Sequence, residues 1–272
     1  MKAKVPLSHA PCPRWSPPPL IANPLLRWGL LLMGGLYLLA AFSTLEINWE
    51  RVAAGMSRSL QVFAGFLQPD FASRWWEIQS GVLESLTMTV VATVIGTALS
   101  VPIGLGAART LTPLPVYLFC RGMIALARTF QEVIIAIFFV VLVGFGPLAG
   151  VLTLSFASIG FLAKLLAEEI EAMQPAPLEA IRTTGASWLQ LVTYAVMPQV
   201  LPRLVGLITY RFDINLRESA IVGVVGAGGI GATLQTAFSR YDFDVAAAIL
   251  LIIIGLVWAT EVGAGAIRRR IQ

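Results

Sequence analysis

Residues 174–202 read QPAPLEAIRTTGASWLQLVTYAVMPQVLP and lie between two long apolar runs. This segment combines Glu179, Arg182 and Gly185 with adjacent threonines and with prolines at both ends. In a strongly apolar chain, such residues come together where the backbone is in water. We therefore predict that residues 174–202 form a water-exposed loop, and we expect another protein to bind there.

Composition indicates that most of the chain lies in a membrane. Of 272 residues, 57% are hydrophobic and 12% are charged, and the mean hydropathy is +0.80. Soluble domains contain about 25% charged residues, and a soluble fold could not bury this much apolar surface. The net charge is only +4 and the basic residues are scattered, which favours a role in membrane orientation over nucleic-acid binding.

Apolar segments of about 20 residues match the length that a helix needs to cross a bilayer. They predict an all-α, polytopic membrane protein with about six transmembrane helices. The predicted helices cover residues 25–45, 83–108, 122–144, 148–167, 204–225 and 245–267. The third contains Arg128 and Glu132 in its first half. Residues 1–24 are predicted to form a proline-rich cytosolic tail, and residues 25–272 the transmembrane domain.

The distribution of Lys and Arg predicts the orientation of these helices. A cytosolic amino terminus places most basic residues inside, in agreement with the positive-inside rule, and makes both termini and loop 174–202 cytosolic. The basic residues placed inside are Lys2, Lys4, Arg14, Arg27, Arg109, Arg121, Arg182, Arg203 and residues 268–270. Those placed outside are Arg51, Arg58, Arg74 and Arg240.

The cytosolic loop has the signals of two short helices. Pro175 and Pro177 interrupt the preceding helix, because proline lacks an N–H donor and crowds the previous turn. The first short helix is predicted to start near Leu178. Gly185 permits a sharp bend, and residues 186–196 are predicted to form a second short helix that ends at Pro198.

The loop resembles the EAA signature of importer permeases of the ATP-binding cassette (ABC) class. The matching residues are Glu179, Ala180, Gly185 and Pro198, with a hydrophobic residue before the proline. The resemblance implies a coupling helix, including Arg182, that docks in a cleft of a separate ATPase subunit; an ordinary cytosolic helical hairpin is the alternative. The chain departs from the usual residues of the signature at apolar positions, namely Ile181, Ala195 and Met197.

The fifth predicted span contains the charged run RFDINLRE at residues 211–218. A charge at the centre of a membrane helix costs about 2.5–3.5 kcal/mol on insertion scales, so these side chains must face protein or water. Helical spacing puts Arg211, Asn215 and Glu218 on one face and Asp213 and Arg217 on the other. Our hypothesis is that one set lines a path for an anion while the other joins the helix to its neighbours. The alternative is that both sets are static ion pairs.

The sequence GAGGIG at residues 226–231 satisfies the dinucleotide-binding pattern GxGxxG. That site needs a strand, a helix and a parallel sheet, for which there is no room between two membrane spans. We predict instead a glycine-rich bend with close packing on the outer side of the membrane. The glycines of this bend are Gly226, Gly228, Gly229 and Gly231, and residues 144–147 are predicted to form a similar outer turn.

Several separated motifs resemble the phosphonate-type importer permeases, whose relatives also carry phosphite and hypophosphite. These motifs are QPDF at residues 68–71, VGFGPLAGVL at 143–152, EAIRTTGA at 179–186 and RFDINLRESAIVGVVGAGGIG at 211–231. The resemblance covers residues 68–267 and implies a type I (MetI-like) permease core at about 81–267. Relatives of this type usually have a small residue at the position of Glu218.

The resemblance also implies the partners. Such permeases are homodimers in the bacterial inner membrane, with two cytosolic ATPase subunits and a periplasmic binding protein for phosphonate or phosphite. This chain contains no GxxxxGK[ST] loop, so ATP and Mg are expected on the partner ATPase. We expect no cofactor or metal in the chain itself, since its two cysteines and one histidine give no metal-binding pattern.

Other functions share parts of the same pattern. A permease of another small-anion or amino-acid ABC importer would share the coupling loop. An ion-coupled secondary transporter could also use buried charges, but such transporters usually contain internal repeats with interrupted helices. An intramembrane enzyme would need a nucleophile, a metal site or an acid–base pair, and the sequence shows no such motif.

Overall fold

The computed structural model describes residues 23–45 and 48–271, in which no strand is present. The all-α prediction is therefore confirmed for this part of the chain. The predicted tail at residues 1–24 lies almost entirely outside the described residues. The helices are α1 Pro24–Ser43, α2 Trp49–Phe66, α3 Trp75–Gly106, α4 Leu114–Thr129, α5 Glu132–Val143, α6 Pro147–Ala172, α7 Pro175–Thr183, α8 Trp188–Leu191, α9 Met197–Val222, α10 Gly229–Ser239 and α11 Phe243–Ile271. Single π-helical turns lie at Val192–Val196 and Gly223–Ala227.

The described residues form two compact units, of which the first ends at Ser59 and the second begins at Leu60. In the first unit, α1 begins at Pro24 behind Asn23, whose side chain caps the helix by accepting a hydrogen bond from the Leu25 N–H. No residue of α1 is buried. Its apolar side chains are therefore free to face lipid, as expected of a membrane span. The second unit contains all the functional residues discussed below.

Five described helical segments are long and apolar enough to cross a membrane, and a bent pair of shorter helices would make a sixth. About six spans is therefore the confirmed count. The five are residues 24–43, 75–106, 147–172, 188–227 and 243–266. The predicted continuous span at 122–144 is wrong, because α4 and α5 meet there at 94°.

The break between α4 and α5 has a local cause. Phe130 and Gln131 are extended, with ψ of 138° and 146°. Arg128 lies in the last turn of α4 and Glu132 in the first turn of α5, where each charge complements the helix dipole. The charged residues noted in the sequence thus end one helix and begin another.

The second helix of loop 174–202 is also longer than predicted. It begins at Trp188, where Ser187 and Gln190 form a capping box, and it does not end at Pro198. A π-helical turn precedes Pro198, which lies in the first turn of α9. The wider turn accommodates the proline ring without ending the helix. The first short helix begins at Pro175 rather than near Leu178, since proline is well tolerated in a first helical turn.

Helices α3 and α6 form the centre of the second unit and pack closely through small residues. A Cβ atom on Gly96 would lie 2.5 Å from the Ser158 Cβ, and one on Gly104 would lie 2.9 Å from the Leu166 Cδ2. Small residues allow two helix backbones to approach within the membrane. This packing places Ser158, near the middle of α6, against the charged helix α9.

A tight bend joins α9 to α10 at the opposite end from loop 174–202. Gly226, Gly228 and Gly229 have φ of 97°, 79° and 73°, conformations that side chains disfavour. The Gly146 N–H donates to the Gly226 carbonyl at 3.1 Å, so the two glycine turns lie side by side. The start of α10 is held by Glu84, whose carboxylate accepts the Gly229 N–H at 2.8 Å.

Candidate functional site

The charged run of α9 centres on a buried arginine. Arg211 is 3% exposed. Its Nε donates to the Ser158 Oγ at 3.0 Å, and its Nη2 donates to the Glu218 Oε2 at 3.1 Å. The guanidinium also lies over the ring of Phe161, 5.5 Å from its centroid. A cation is thus held between a neutral hydroxyl, an aromatic ring and one carboxylate.

Asn215 extends this polar cluster to α3. Its Nδ2 donates to the Thr93 Oγ1 at 2.9 Å and to the Ser158 Oγ at 3.2 Å, and the side chain is completely buried. Ser158 therefore contacts both Arg211 and Asn215. Ser158 and Thr93 were not predicted from the sequence, although hydroxyl residues within apolar spans are a known means of joining membrane helices.

The other face of α9 carries Asp213 and Arg217. The Asp213 carboxylate accepts from the Arg217 Nη2 at 2.9 Å and from the Thr260 Oγ1 of α11 at 3.2 Å. The Arg217 side chain remains 55% exposed. The structure therefore places the two sets of residues on two faces of α9, and the Asp213 set contacts α11.

A cavity of about 170 Å³ lies beside Arg211 at the break between α4 and α5. Arg128 and Glu132 line it together with Arg211, and Phe130 and Phe161 supply aromatic walls. In the sequence, Arg128 and Glu132 are recognisable only as charges that interrupt a span. Their position beside Arg211 depends on the bend, which brings the end of α4 onto α6.

The predicted coupling helix is α7, which lies on the surface but is fixed at defined points. Leu178 is buried, whereas Glu179 and Ala180 are exposed. The Arg182 Nη2 donates to the Thr110 carbonyl at 2.7 Å, and the Trp188 Nε1 donates to the Leu111 carbonyl at 3.1 Å. These bonds attach both short helices of the loop to residues 107–113, which join α3 to α4.

Glu171, at the end of α6, also holds the α3–α4 connection, residues 107–113. Its Oε1 accepts from the Arg109 N–H at 2.9 Å, and both of its carboxylate oxygens accept from the Arg121 Nη2 at 3.0 Å. The Arg121 Nε donates to the Ala107 carbonyl at 3.0 Å. The connection that holds α7 is therefore also bonded, through Arg121, to the middle of α4. No pattern in the sequence indicates this role of Glu171.

The apolar departures from the EAA pattern have a structural explanation. Ala195 is buried in a hydrophobic cluster with Leu166 and Leu178, and Ile181 and Met197 pack against that cluster. Apolar exchanges at such positions preserve burial. Gly185 is exposed with φ of 78°, so the turn between α7 and α8 needs the conformation that glycine adopts readily.

These features match a transport family. The family described as "Binding-protein-dependent transport system inner membrane component" matches residues 100–272. The chain belongs to this family. Its members are transport permease components rather than enzymes, which confirms the class predicted from the coupling loop and the charged span.

Two relatives and one solved structure define the similarity more closely. The chain is 40% identical over 260 residues to the phosphate-import permease protein PhnE of Mycolicibacterium smegmatis, covering 93% of this chain and 48% of that protein. It is 34% identical over 240 residues to the phosphite transport system permease protein PtxC of Stutzerimonas stutzeri, covering 88% of this chain and 86% of that protein. The chain thus spans about half the length of the first relative and most of the second.

The solved structure is an inward-facing MetNI methionine ABC transporter. Its matched chain is 25% identical, with a TM-score of 0.65 over 74% of this chain and 99% of that chain. The MetI-like fold predicted from the sequence is therefore confirmed.

Proposed function

We propose that this chain is the permease subunit of an ATP-driven importer that moves a phosphorus oxyanion, such as phosphonate, phosphite, hypophosphite or phosphate, into the cell. The observation that carries the proposal is the attachment of the exposed helix α7 to the α3–α4 connection by Arg182 and Trp188. This arrangement suits a surface that receives force from a partner and passes it into the spans. Phosphate and phosphite are named in the two relatives described above.

In this proposal the ATPase docks on α7. The exposed Glu179, Ala180 and Arg182 form the contact, while Gly185 and Pro198 shape the following turn and helix. ATP and Mg are bound by the ATPase alone. Closure of the ATPase dimer displaces α7 and, through residues 107–113, moves α4. Alternating access then follows from two packed arrangements of the same helices.

The substrate path is assigned to the face of α9 that carries Arg211, Asn215 and Glu218. Arg211 supplies the positive charge that an oxyanion requires, and Glu218 neutralises that charge when the path is empty. Asp213 and Arg217 support the path from the other face, because Asp213 also bonds Thr260 of α11.

The assembly is proposed to contain two copies of the chain, two ATPase subunits and a periplasmic binding protein, in a bacterial inner membrane. Basic residues support a cytosolic location for α7. Arg109, Arg121 and Arg203 lie at the same end of the unit as Arg182, since they contact Glu169 and Glu171 at the end of α6. With this orientation, both termini are cytosolic under the positive-inside rule.

An amino-acid importer is the second candidate. The observation that favours it is the structural similarity to the methionine transporter. A binding protein confers most of the selectivity in such a system, so ligand affinity measured on that partner separates the two candidates. An ion-coupled secondary transporter would instead purify and work without an ATPase.

Reconstitution tests the proposal. The permease is purified with its ATPase, incorporated into liposomes and supplied with the binding protein, and the uptake of phosphite, orthophosphate, methylphosphonate and methionine is measured with and without ATP. We expect an ATPase to co-purify in about equal amount and uptake of a phosphorus oxyanion to require ATP. Uptake of methionine alone, or ATP-independent uptake, contradicts the proposal.

A further inference from the structure

The break between α4 and α5 lies at the depth of the middle of α6. The Arg128 Cγ and the carbonyl carbon of Ala127 lie 3.0 Å and 3.2 Å from the position that a Cβ on Gly160 would take. Gly160 is close to Ser158, the partner of Arg211. Broken helices within hydrocarbon are tolerated only where they are enclosed by protein or line a water-filled space. A cavity of about 170 Å³ lies at this point, and charged side chains line it, as a water-accessible space would require.

The side chains around the cavity are unusually rich in charge for this depth. Arg128, Glu132 and Arg211 line it. Among the described residues, the side chains of Arg128 and Glu132 form no hydrogen bond or salt bridge. Arg211 uses its Nε and Nη2, while no described partner bonds its Nη1. N–H donors of two arginines are therefore available beside one cavity. Because a guanidinium within a membrane ordinarily has hydrogen-bonding partners, free donors at this position suggest that a ligand binds there.

We propose that this cavity is a transient binding site for the transported oxyanion, in which Arg128 and Arg211 donate to the phosphorus oxygens and Glu218 is the counter-ion that the substrate displaces. The inference rests on the proposed function and adds Arg128 and the α4–α5 break to the path. Glu218 holds Arg211 when the site is empty, because an unpaired buried guanidinium would be costly. An oxyanion that enters the cavity then compensates the positive charge of Arg211 in place of Glu218.

The charges at the cavity suit a site that a transported anion occupies only briefly. Arg128 and Arg211 together carry two positive charges, and Glu132 and Glu218 carry two negative charges in their ionised forms. An empty site is then close to neutral, and an oxyanion can bind the Arg211 Nη2 only by competing with the Glu218 carboxylate. A transport site must bind its substrate strongly enough to admit it and weakly enough to release it. Glu218 limits the residence time of the anion.

A purely structural role for the same residues predicts a different result. If Arg128 and Glu132 only complement the dipoles at the ends of α4 and α5, neutralising Arg128 would lower stability slightly and leave substrate handling unchanged. The two roles are separated by measuring transport and anion binding in variants whose assembly is intact.

The first test is Arg128→Gln in the complete importer reconstituted in liposomes. We expect ATP-driven uptake of phosphite or orthophosphate to fall about ten- to hundred-fold, because a charge-assisted hydrogen bond to the substrate is lost. The ATPase still co-purifies, and the binding protein still stimulates ATP hydrolysis. Arg128→Lys retains part of the uptake. Lys164→Gln is the matched control, because Lys164 is a cation of α6 that pairs with Glu168 and does not line the cavity. Normal uptake by Arg128→Gln overturns the proposal.

The second test is Glu218→Gln, in which the amide oxygen can still accept from the Arg211 Nη2 while the competing negative charge is removed. It decides the matter if Arg128→Gln fails to assemble. The permease–ATPase complex without its binding protein is placed in nanodiscs, and binding of radiolabelled orthophosphate is measured. We expect the dissociation constant to fall about ten-fold or more, with slower uptake in liposomes. Unchanged or weaker binding overturns the proposal. If the unmodified importer carries no phosphorus oxyanion, the proposed function itself fails. If it does and either variant behaves like the unmodified importer, the cavity site alone is wrong.

Discussion

The Nη2 of Arg211 donates to the Glu218 carboxylate at 3.1 Å, within a single membrane helix and seven positions apart. Arg211 is almost fully buried, and the Glu218 side chain is 19% exposed. Breaking such a pair from one side leaves an uncompensated charge, whereas replacing both partners by hydrophobic residues of similar volume is often neutral for stability. This asymmetry makes the pair useful for separating transport from folding.

The double variant Arg211→Met with Glu218→Met is expected to assemble like the unmodified protein but to lose most of its uptake. Single replacement of Arg211 is expected to destabilise the permease by about 3–5 kcal/mol, since it leaves Glu218 unpaired. Thermal unfolding of the purified complex and uptake in liposomes measure the two effects. If the double variant transports normally, Arg211 and Glu218 form only a static pair.

Charge reversal on α7, the proposed coupling helix, is expected to weaken binding of the ATPase. Glu179 is exposed and has no described hydrogen bond or salt bridge, so Glu179→Arg leaves the permease folded. We expect the amount of co-purified ATPase to fall at least several-fold, because a like-charge contact at an interface costs several kcal/mol. Glu168→Arg is the control, as it reverses an exposed carboxylate on α6 outside the coupling loop. Normal ATPase recovery with Glu179→Arg would exclude this docking surface.

Removing one attachment of the proposed coupling segment, residues 174–202, is expected to reduce transport per ATP. Trp188→Phe keeps an aromatic ring but removes the Nε1 bond to the Leu111 carbonyl, a loss of about 0.5–1.5 kcal/mol. The ATPase is then expected to bind and hydrolyse ATP, while the uptake per ATP falls. Parallel measurement of phosphate release and substrate uptake tests this. Tyr194→Phe, which removes an exposed hydroxyl from the same segment, serves as the control, and an unchanged ratio in Trp188→Phe would argue against transmission through this bond.

Close packing at the bend between α9 and α10 predicts strong sensitivity to a single methyl group. A Cβ on Gly231 would lie 1.9 Å from the Ala220 carbonyl oxygen, whereas a Cβ on Gly122 would meet nothing within 4 Å. Gly231→Ala is expected to destabilise the permease by about 1–3 kcal/mol, and Gly122→Ala is expected to be neutral. Thermal unfolding of both variants checks the difference. Equal stability would contradict the tight contact between α9 and α10.

The sequence determined the class of this protein and much of its local structure. Its apolar segments predicted a helical membrane protein, and the pattern of residues 174–202 predicted the coupling segment and the transport family. Helical spacing alone placed Arg211 and Asp213 on different faces of α9. These features depend on neighbours along the chain, where backbone geometry is nearly fixed by residue type and spacing.

The sequence was less informative wherever local rules competed. Pro198 predicted a helix end, but the π-helical turn before it lets the helix continue. Arg128 and Glu132 interrupted a predicted span, and the outcome was a 94° bend. In both cases the sequence pattern predicted where the helix becomes irregular. The packing of the surrounding helices determined which backbone conformation formed there.

Only the tertiary structure decided which distant residues meet. Ser158 lies beside Arg211, Thr93 beside Asn215, and Glu171 beside the Arg121 guanidinium. These pairs come from different helices, and nothing in the spacing of one helix specifies the rotation and depth of another. The cavity beside Arg211 arises in the same way. Its charged side chains come together only because the chain bends between α4 and α5 and the end of α4 packs against Gly160 of α6. The spacing of residues along each helix therefore determined the face on which each side chain lies. Packing between helices determined which residues of different helices contact one another.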